Sequence, residues 1–420
     1  MKIIHTSDWH LGQKFLYNGR EAEHQMALDW LVDTIRSREV DGLIVAGDVF
    51  DIGNPPNYAR RMYYRFLTQL IPTTCRHVLA TGGNHDSPAM LEAPRDLLQA
   101  LNIDVLGAIT GALEDEAVEW RNEKGALEAV IAAVPFLRDR DLHFSVAGEN
   151  GMERVDRLKN SIREHYRSLG RLIEERYAGA GVPLIATGHL YATGAQASGA
   201  QDNIYIGNKE NIDARDFPEV FAYVALGHIH RPQAVGGLEH VRYSGSLIPL
   251  SFSETKDDKS VYLLEFEGAM LKKVEALELP TFRRLKTIQG PLEKVEEALK
   301  RFAGKQREGL APWVEVIVET DRLIPQLDQR LHELTADKHL ELLKIRLFRL
   351  YQAAQQEQLI PELGDLEELE VFKMKCQSYG SPPEEMDELV QTFLELREWM
   401  AGQEQGTGQA GTRLGEGEAP

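Results

Sequence analysis

Five short motifs rich in Asp, Asn and His each fall at or just beyond the end of a predicted strand, and no other feature constrains the fold as much. They are Asp8-Trp9-His10, Gly47-Asp48, Gly83-Asn84-His85-Asp86, Gly188-His189 and Gly227-His228-Ile229-His230. In α/β architecture, ligands gather at the carboxyl ends of strands because the loops there converge. A glycine opens four of the five, letting the backbone turn sharply and approach closely. Singly the motifs are weak. Eight of the 13 histidines, His5, His24, His77 and His332 among them, lie outside these motifs and read as surface or satisfied core residues. Joint occurrence in this order carries the weight.

Residues 1–105 alternate short β-branched runs with amphipathic stretches. Strands are predicted at Lys2–Thr6, Leu43–Ala46 and His77–Thr81. Helices are predicted at Glu21–Arg36, with Met26, Leu28, Leu31, Val32 and Ile35 as apolar positions, and at Tyr58–Leu70 and Met90–Leu101. This order predicts a largely parallel sheet with crossover helices. Further strands are expected at Ala129–Val134, Leu184–Thr187 and Tyr223–Leu226, and a helix at Arg154–Tyr177. Short strands after Gln233 (Val241–Tyr243, Val261–Phe266, Lys272–Ala276) suggest a second sheet packed on the first. The expectation is an α/β fold, a β-sandwich flanked by helices, spanning 1–279.

Pro280 opens a βαβαβ rhythm over 280–350, a small α+β domain near the lower size limit for independent folding. From Gln352 the chain reads as helical and acidic. Ser381-Pro-Pro-Glu384 carries a capping-box signature, and Met386, Leu389, Val390, Phe393, Leu394 and Met400 follow helical spacing. Region 351–401 is expected to be helical, its apolar face packing on the chain itself or docking a partner; 402–420 is expected to be a disordered tail.

The formal charge of -19 argues against a protein that coats nucleic acid, since phosphate binding needs Lys and Arg facing the backbone. The objection weakens because some carboxylates can bind cations and much of the excess acidity follows Gln352. No run approaches the ~20 apolar residues that span a bilayer. Two cysteines, Cys75 and Cys376, make no disulfide framework, so a reducing cytoplasm is the natural expectation.

Asp, Asn and His at five turns make a cage for two cations. Oxygen and imidazole donors without thiolate suit Mn²⁺ or Fe²⁺ and do not suggest a structural zinc site; an all-oxygen set would favour Mg²⁺. Two cations ~3.5–4 Å apart can clamp a phosphate and acidify a water they share.

The runs Ser7-Asp8-Trp9-His10-Leu11-Gly12, Ala46-Gly47-Asp48-Val49-Phe50-Asp51, Gly83-Asn84-His85-Asp86-Ser87 and Gly227-His228-Ile229-His230 resemble calcineurin-type metallophosphoesterases. Within that superfamily they resemble the bacterial SbcD nuclease family, relatives of archaeal and eukaryotic recombination nucleases. The resemblance implies a four-layer β-sandwich and a capping domain that binds DNA. It also implies a Mn²⁺-dependent exonuclease and endonuclease acting on duplex ends and hairpins. The implied partner is an SbcC-type coiled-coil ATPase, with a homodimer inside a heterotetramer working at the nucleoid. By motif, one metal falls to Asp8, His10, Asp48 and His230, and the second to Asp48, Asn84, His189 and His228. His85 matches the histidine that serves the leaving oxygen. Asp51 or Asp86 would orient it, and either anion would favour the imidazolium.

Lys14, Arg60, Arg61 and Arg65 are candidate phosphate contacts. Tyr58, Tyr63 and Tyr64 interleave with the arginines, and a solvated helix face over a buried aromatic stripe is the plainer reading of them. No Gly-x-x-x-x-Gly-Lys-Ser/Thr loop occurs, so ATP dependence would come from a partner. Rival readings are a cyclic nucleotide phosphodiesterase, a protein phosphatase or an inactive scaffold. The extra domain after Pro280 and the filled ligand positions favour the nuclease.

Overall fold

The structure is a computed structural model that describes residues 1–142, 151–196, 212–303, 309–320 and 324–348, with residues 372, 389, 390, 392 and 393 beyond them. The expectations for 351–401 and 402–420 therefore lie outside the described residues, apart from those five positions. Met1–Phe348 forms one compact unit and Arg349–Pro420 a second.

Apolar runs build the first half-sandwich: β1 (Lys2–Thr6), β2 (Gly42–Ala46), β3 (His77–Thr81) and β4 (Ile103–Leu106), all parallel neighbours. Crossovers α1 (Glu21–Arg38) and α2 (Asn57–Leu70) cover its outer face. Alternation divides each strand between two cores. Ile4, Leu43 and Val45 point toward the helices, whereas Ile3 and Ile44 point between the sheets. Helix α1 buries Ala27, Leu28, Leu31, Val32 and Ile35, but Met26 is 43% exposed and belongs to the solvent face. In place of one helix over Met90–Leu101, two short helices, Pro88–Glu92 and Arg95–Gln99, flank Pro94, which has no N–H to continue the first.

The second sheet holds β5 (Ala117–Arg121), β6 (Leu127–Ala132), β7 (Leu184–His189), β8 (Tyr223–Gly227), β9 (Gln233–Val235) and β10 (Leu238–Tyr243). Its order is β9-β10-β8-β7-β6-β5, with α3 (Gly151–Tyr177) across its outer face. Between the sheets, Trp120, Ile131, Ile185, Tyr223 and Ala225 meet Ile3, Ile44 and Leu79. Helix, sheet, sheet and helix make four layers. His5 lies buried between the sheets, bonded to the Tyr223 hydroxyl at 3.0 Å and the Leu226 carbonyl at 3.2 Å. Burial lowers its pKa to about 3, so it is a neutral structural residue.

One expectation is overturned. The strands after Tyr243 do not extend a second sheet: β11 (Ser260–Glu267) pairs antiparallel with β1, and β12 (Met270–Glu278) pairs with β11. The first sheet thus reads β12-β11-β1-β2-β3-β4. Apolar periodicity gives the strands but not their neighbours.

Within the same compact unit, a small α+β layer comprises β13 (Leu285–Gly290), α4 (Leu292–Ala303), β14 (Trp313–Glu319), α5 (Leu327–Thr335) and β15 (Glu341–Phe348), with parallel strands and its own core around Val314, Val316 and Val318. Trp313 keys it to the sandwich. Its ring centroid lies 5.3 Å from that of Phe15, and the Arg283 guanidinium sits over the ring at 4.3 Å. Buried Glu23 accepts from Arg283 at 2.7 Å and from Arg20 at 3.3 Å, joining the two parts through one carboxylate.

A Cβ added at Gly42 would stand 2.5 Å from the buried Trp120 ring, which stacks on His77 at 5.2 Å. Gly42→Ala should therefore cost about 1–3 kcal/mol of stability, read as a lower urea midpoint with an unchanged slope.

Candidate metal centre

The segments following β1 and β2 run side by side beyond the sheet. Asp8 donates its N–H to the Gly47 carbonyl, His10 to Asp48 and Leu11 to Val49, each at 3.0 Å. This pairing places the first two motifs against each other. Asp8, His10 and Asp48 take φ of 51°, 47° and 51°, and His228 takes 100°. Non-glycine residues adopt this left-handed region at a cost of about 1–3 kcal/mol, which the surrounding structure must hold in place. Glycines make room for the rest. A Cβ on Gly83 would lie 2.0 Å from Asp48 Oδ1, one on Gly47 2.1 Å from His189 Nδ1, and one on Gly227 1.9 Å from the Ala46 carbonyl oxygen.

All seven expected ligands converge here. Asp48 Oδ2 lies 3.2 Å from His189 Nε2 and 3.4 Å from His10 Nε2, and its Oδ1 accepts the His85 N–H at 2.9 Å. Asn84 Oδ1 lies 3.0 Å from His189 Nε2 and 3.1 Å from His228 Nδ1. Asp8 accepts the His228 N–H at 2.9 Å. The His10 ring stands edge-on to His230 at 5.1 Å and to His85 at 4.8 Å. Asp8, His10 and His230 form one candidate cation cluster and Asp8, Asp48 and His189 another.

Burial opposes charge on His10 and His189, yet both pKa values rise to about 9. For His10 the hydrogen bond to Asp51 leads, followed by the charges of Asp48 and Asp8; for His189 the charge of Asp48 leads. Asp48 is held well below the usual carboxylate range, its burial outweighed chiefly by His189. His228 is pushed down by burial and by neighbouring His189.

The residues fit divalent cations. His10 Nε2 is buried and makes no hydrogen bond, although Asp48 Oδ2 stands 3.4 Å away. An imidazole nitrogen facing carboxylates without a hydrogen bond is what a cation would satisfy.

The orientation expected for His85 is corrected. Its Nδ1–H donates to the backbone carbonyl of Asp51 at 2.8 Å, while the Asp51 carboxylate accepts from His10 Nδ1 at 3.1 Å. Asp86 is occupied elsewhere: it accepts the N–H groups of Gly83, Phe50 and Val49 at 2.9, 2.9 and 3.1 Å, and so clamps two motif turns together. Burial and the charge of Asp48 raise its pKa to about 6.

The candidate phosphate contacts are less concentrated. Arg61 and Arg65 are exposed on α2, Tyr63 is buried beneath them, and Arg60 bonds Asn57. Lys14 is exposed and lines a cleft of about 520 Å³ with Ser251, Ser253, Lys344 and Arg346.

Sequence reasoning missed Glu254 and Lys259, which stand behind His230, and Arg138, which donates to the carbonyls of Gly83 and Asp86 at 3.3 and 3.0 Å. None of the three adjoins a motif, so no local signal marked them.

Two facing sheets whose strand ends gather carboxylates, an amide and imidazoles define a metal-dependent phosphoesterase. Comparison with known proteins carries the assignment further. The family described as calcineurin-like phosphoesterase matches residues 1–232, and the SbcD_C family, described as Type 5 capsule protein repressor C-terminal domain, matches 281–378. The chain is 40% identical over 375 residues to the SbcD subunit of nuclease SbcCD from Escherichia coli (strain K12), covering 87% of this chain and 90% of that one. The protein of the same name from Rhodobacter capsulatus is 36% identical over 360 residues, covering 83% and 86%. That of Bacillus subtilis is 30% identical over 270 residues, covering 63% and 66%. The chain belongs to the calcineurin-like phosphoesterases and, among them, to the SbcD family of nuclease subunits.

Two outcomes follow. Gly83→Ala should weaken divalent-cation binding in calorimetric titration, because its Cβ would occupy space 2.0 Å from Asp48 Oδ1. A cation entering beside His10 and His189 would displace protons whose pKa values are raised to about 9. Divalent-cation affinity should accordingly rise between roughly pH 6 and pH 9, with proton release measurable at pH 7 in buffers of different ionisation enthalpy.

Proposed function

We propose that this chain is the nuclease subunit of an SbcCD-type complex, hydrolysing DNA phosphodiester bonds with two Mn²⁺ ions. Asp8, His10, Asp48 and His230 would hold one ion, and Asp48, Asn84, His189 and His228 the other, with Asp48 shared. Fe²⁺ or Mg²⁺ would be alternative occupants. The observation that carries this reading is the convergence of Asp8, His10, Asp48, His189 and His230 at spacings that cations could bridge, with His10 Nε2 buried and making no hydrogen bond. Cations bound there would neutralise phosphate oxygens and acidify a water, supplying a nucleophile at neutral pH.

The chain's own groups would do the rest. A carbonyl only accepts, so the Asp51 carbonyl keeps a hydrogen on His85 Nδ1 and fixes the ring. Nε2, when protonated, can then offer its hydrogen to the departing oxygen. Asp86 accepts from the Gly83 N–H and Arg138 donates to the Asp86 carbonyl, so the turn that carries His85 is held by two side chains. Lys14 lines a neighbouring cleft and would be its phosphate contact, since Lys344 and Arg346 in the same cleft are paired with Glu315 at 3.6 and 3.1 Å.

By kinship with the SbcD subunits of SbcCD nucleases, the partner would be an SbcC-type coiled-coil ATPase, with the chain a homodimer inside a heterotetramer in the cytoplasm at the nucleoid. Duplex ends would be trimmed exonucleolytically and single-stranded or hairpin DNA cut endonucleolytically. The small domain, 280–350, would cap the site and contact DNA.

Mn²⁺-dependent degradation of linear duplex DNA, with and without the ATPase, tests this directly against hydrolysis of cyclic nucleotides. Efficient turnover of cyclic nucleotides with intact DNA would overturn the reading. His85→Ala should retain Mn²⁺ and DNA binding but lose about 10²–10⁴-fold in cleavage rate. Loss of metal instead would move His85 into the ligand set.

A further inference from the structure

We propose that Glu254 is a positioning residue for the metal centre, fixing the His230 ring so that Nε2 is the nitrogen offered to a cation. The inference rests on reading His230 as a ligand. His230 Nδ1 lies 3.3 Å from Glu254 Oε1. A carboxylate can only accept, so the shared hydrogen sits on Nδ1 and the lone pair on Nε2.

Glu254 is itself fixed from three directions. It is 1% exposed, and its Oε2 accepts from Lys259 Nζ at 2.6 Å and from the Leu250 N–H at 3.1 Å. Lys259 Nζ also donates to the His230 carbonyl at 2.8 Å and to Ser246 Oγ at 2.9 Å. One buried ion pair therefore locates both the ring and the backbone of His230. On the far side, the Phe252 ring of the same turn packs against Phe15 at 5.0 Å, and Phe15 against Trp313 of the small domain at 5.3 Å.

A buried ion pair adds little stability over well-packed apolar residues, so its place behind this imidazole is better explained by orientation. The other rings have their own anchors. His189 Nδ1 donates to the Ala46 carbonyl at 3.0 Å and His10 Nδ1 to Asp51 at 3.1 Å. Such supporting acceptors tune metal affinity by about 10–100-fold.

The test is calorimetric Mn²⁺ titration of the full chain, alongside thermal unfolding of the metal-free protein. Glu254→Asp keeps the charge beside Lys259 but withdraws the carboxylate from His230; Glu254→Gln keeps an acceptor oxygen within reach. Glu254→Asp should bind Mn²⁺ about 10–100-fold more weakly at one site, with metal-free unfolding little changed, and Glu254→Gln should restore most of that loss. Should Glu254→Asp fail to fold, the double variant E254L/K259M removes both charges together and should show the same loss. Wild-type Mn²⁺ affinity in folded Glu254→Asp or in E254L/K259M, or a Gln variant as weak as the Asp variant, overturns the inference. Absence of Mn²⁺ binding by the unaltered chain would instead overturn the ligand reading of His230 on which it rests.

Discussion

The carboxylate of Asp48 is buried, yet it meets His189, His10 and the backbone N–H of His85 at once, so three separate stretches of chain are fixed by a single charge. A buried carboxylate without such partners would cost several kcal/mol. The fold answers this by surrounding the carboxylate with His10 and His189, whose proton affinity it raises. A bound cation would answer the same electrostatic problem.

Backbone strain is concentrated at the same place. Asp8, His10, Asp48 and His228 all sit at positive φ, and Gly47, Gly83 and Gly227 approach neighbours too closely for any Cβ. These conformations are held by sheets whose strands are buried on both faces, so the local cost is offset by a large core outside the site. The site is expensive locally and stable as a whole.

Much of this was legible in the sequence, for identifiable reasons. Strands β1, β2, β3, β7 and β8 are apolar runs ending in polar motifs, and their ends do converge. What stayed hidden was pairing between distant segments. Nothing in Val261–Phe266 says that it returns to β1, because alternation fixes a strand's faces and leaves its neighbour open. Met26 follows helical spacing yet faces solvent, since its position lies at the margin of the stripe. Asp51 is near His85 as its spacing from Asp48 suggests, but only its carbonyl reaches that ring while its side chain turns to His10. Glu254, remote from every motif, could be found only by asking what stands behind His230.

The return of β11 to the edge of β1 bears on how such an enzyme is made. Every motif lies between Asp8 and His230, yet β1, the strand that leads into Asp8, finds its antiparallel neighbour only in Ser260–Glu267. A chain cut short before β11 would therefore carry every motif on a sheet whose β1 edge is left unpaired.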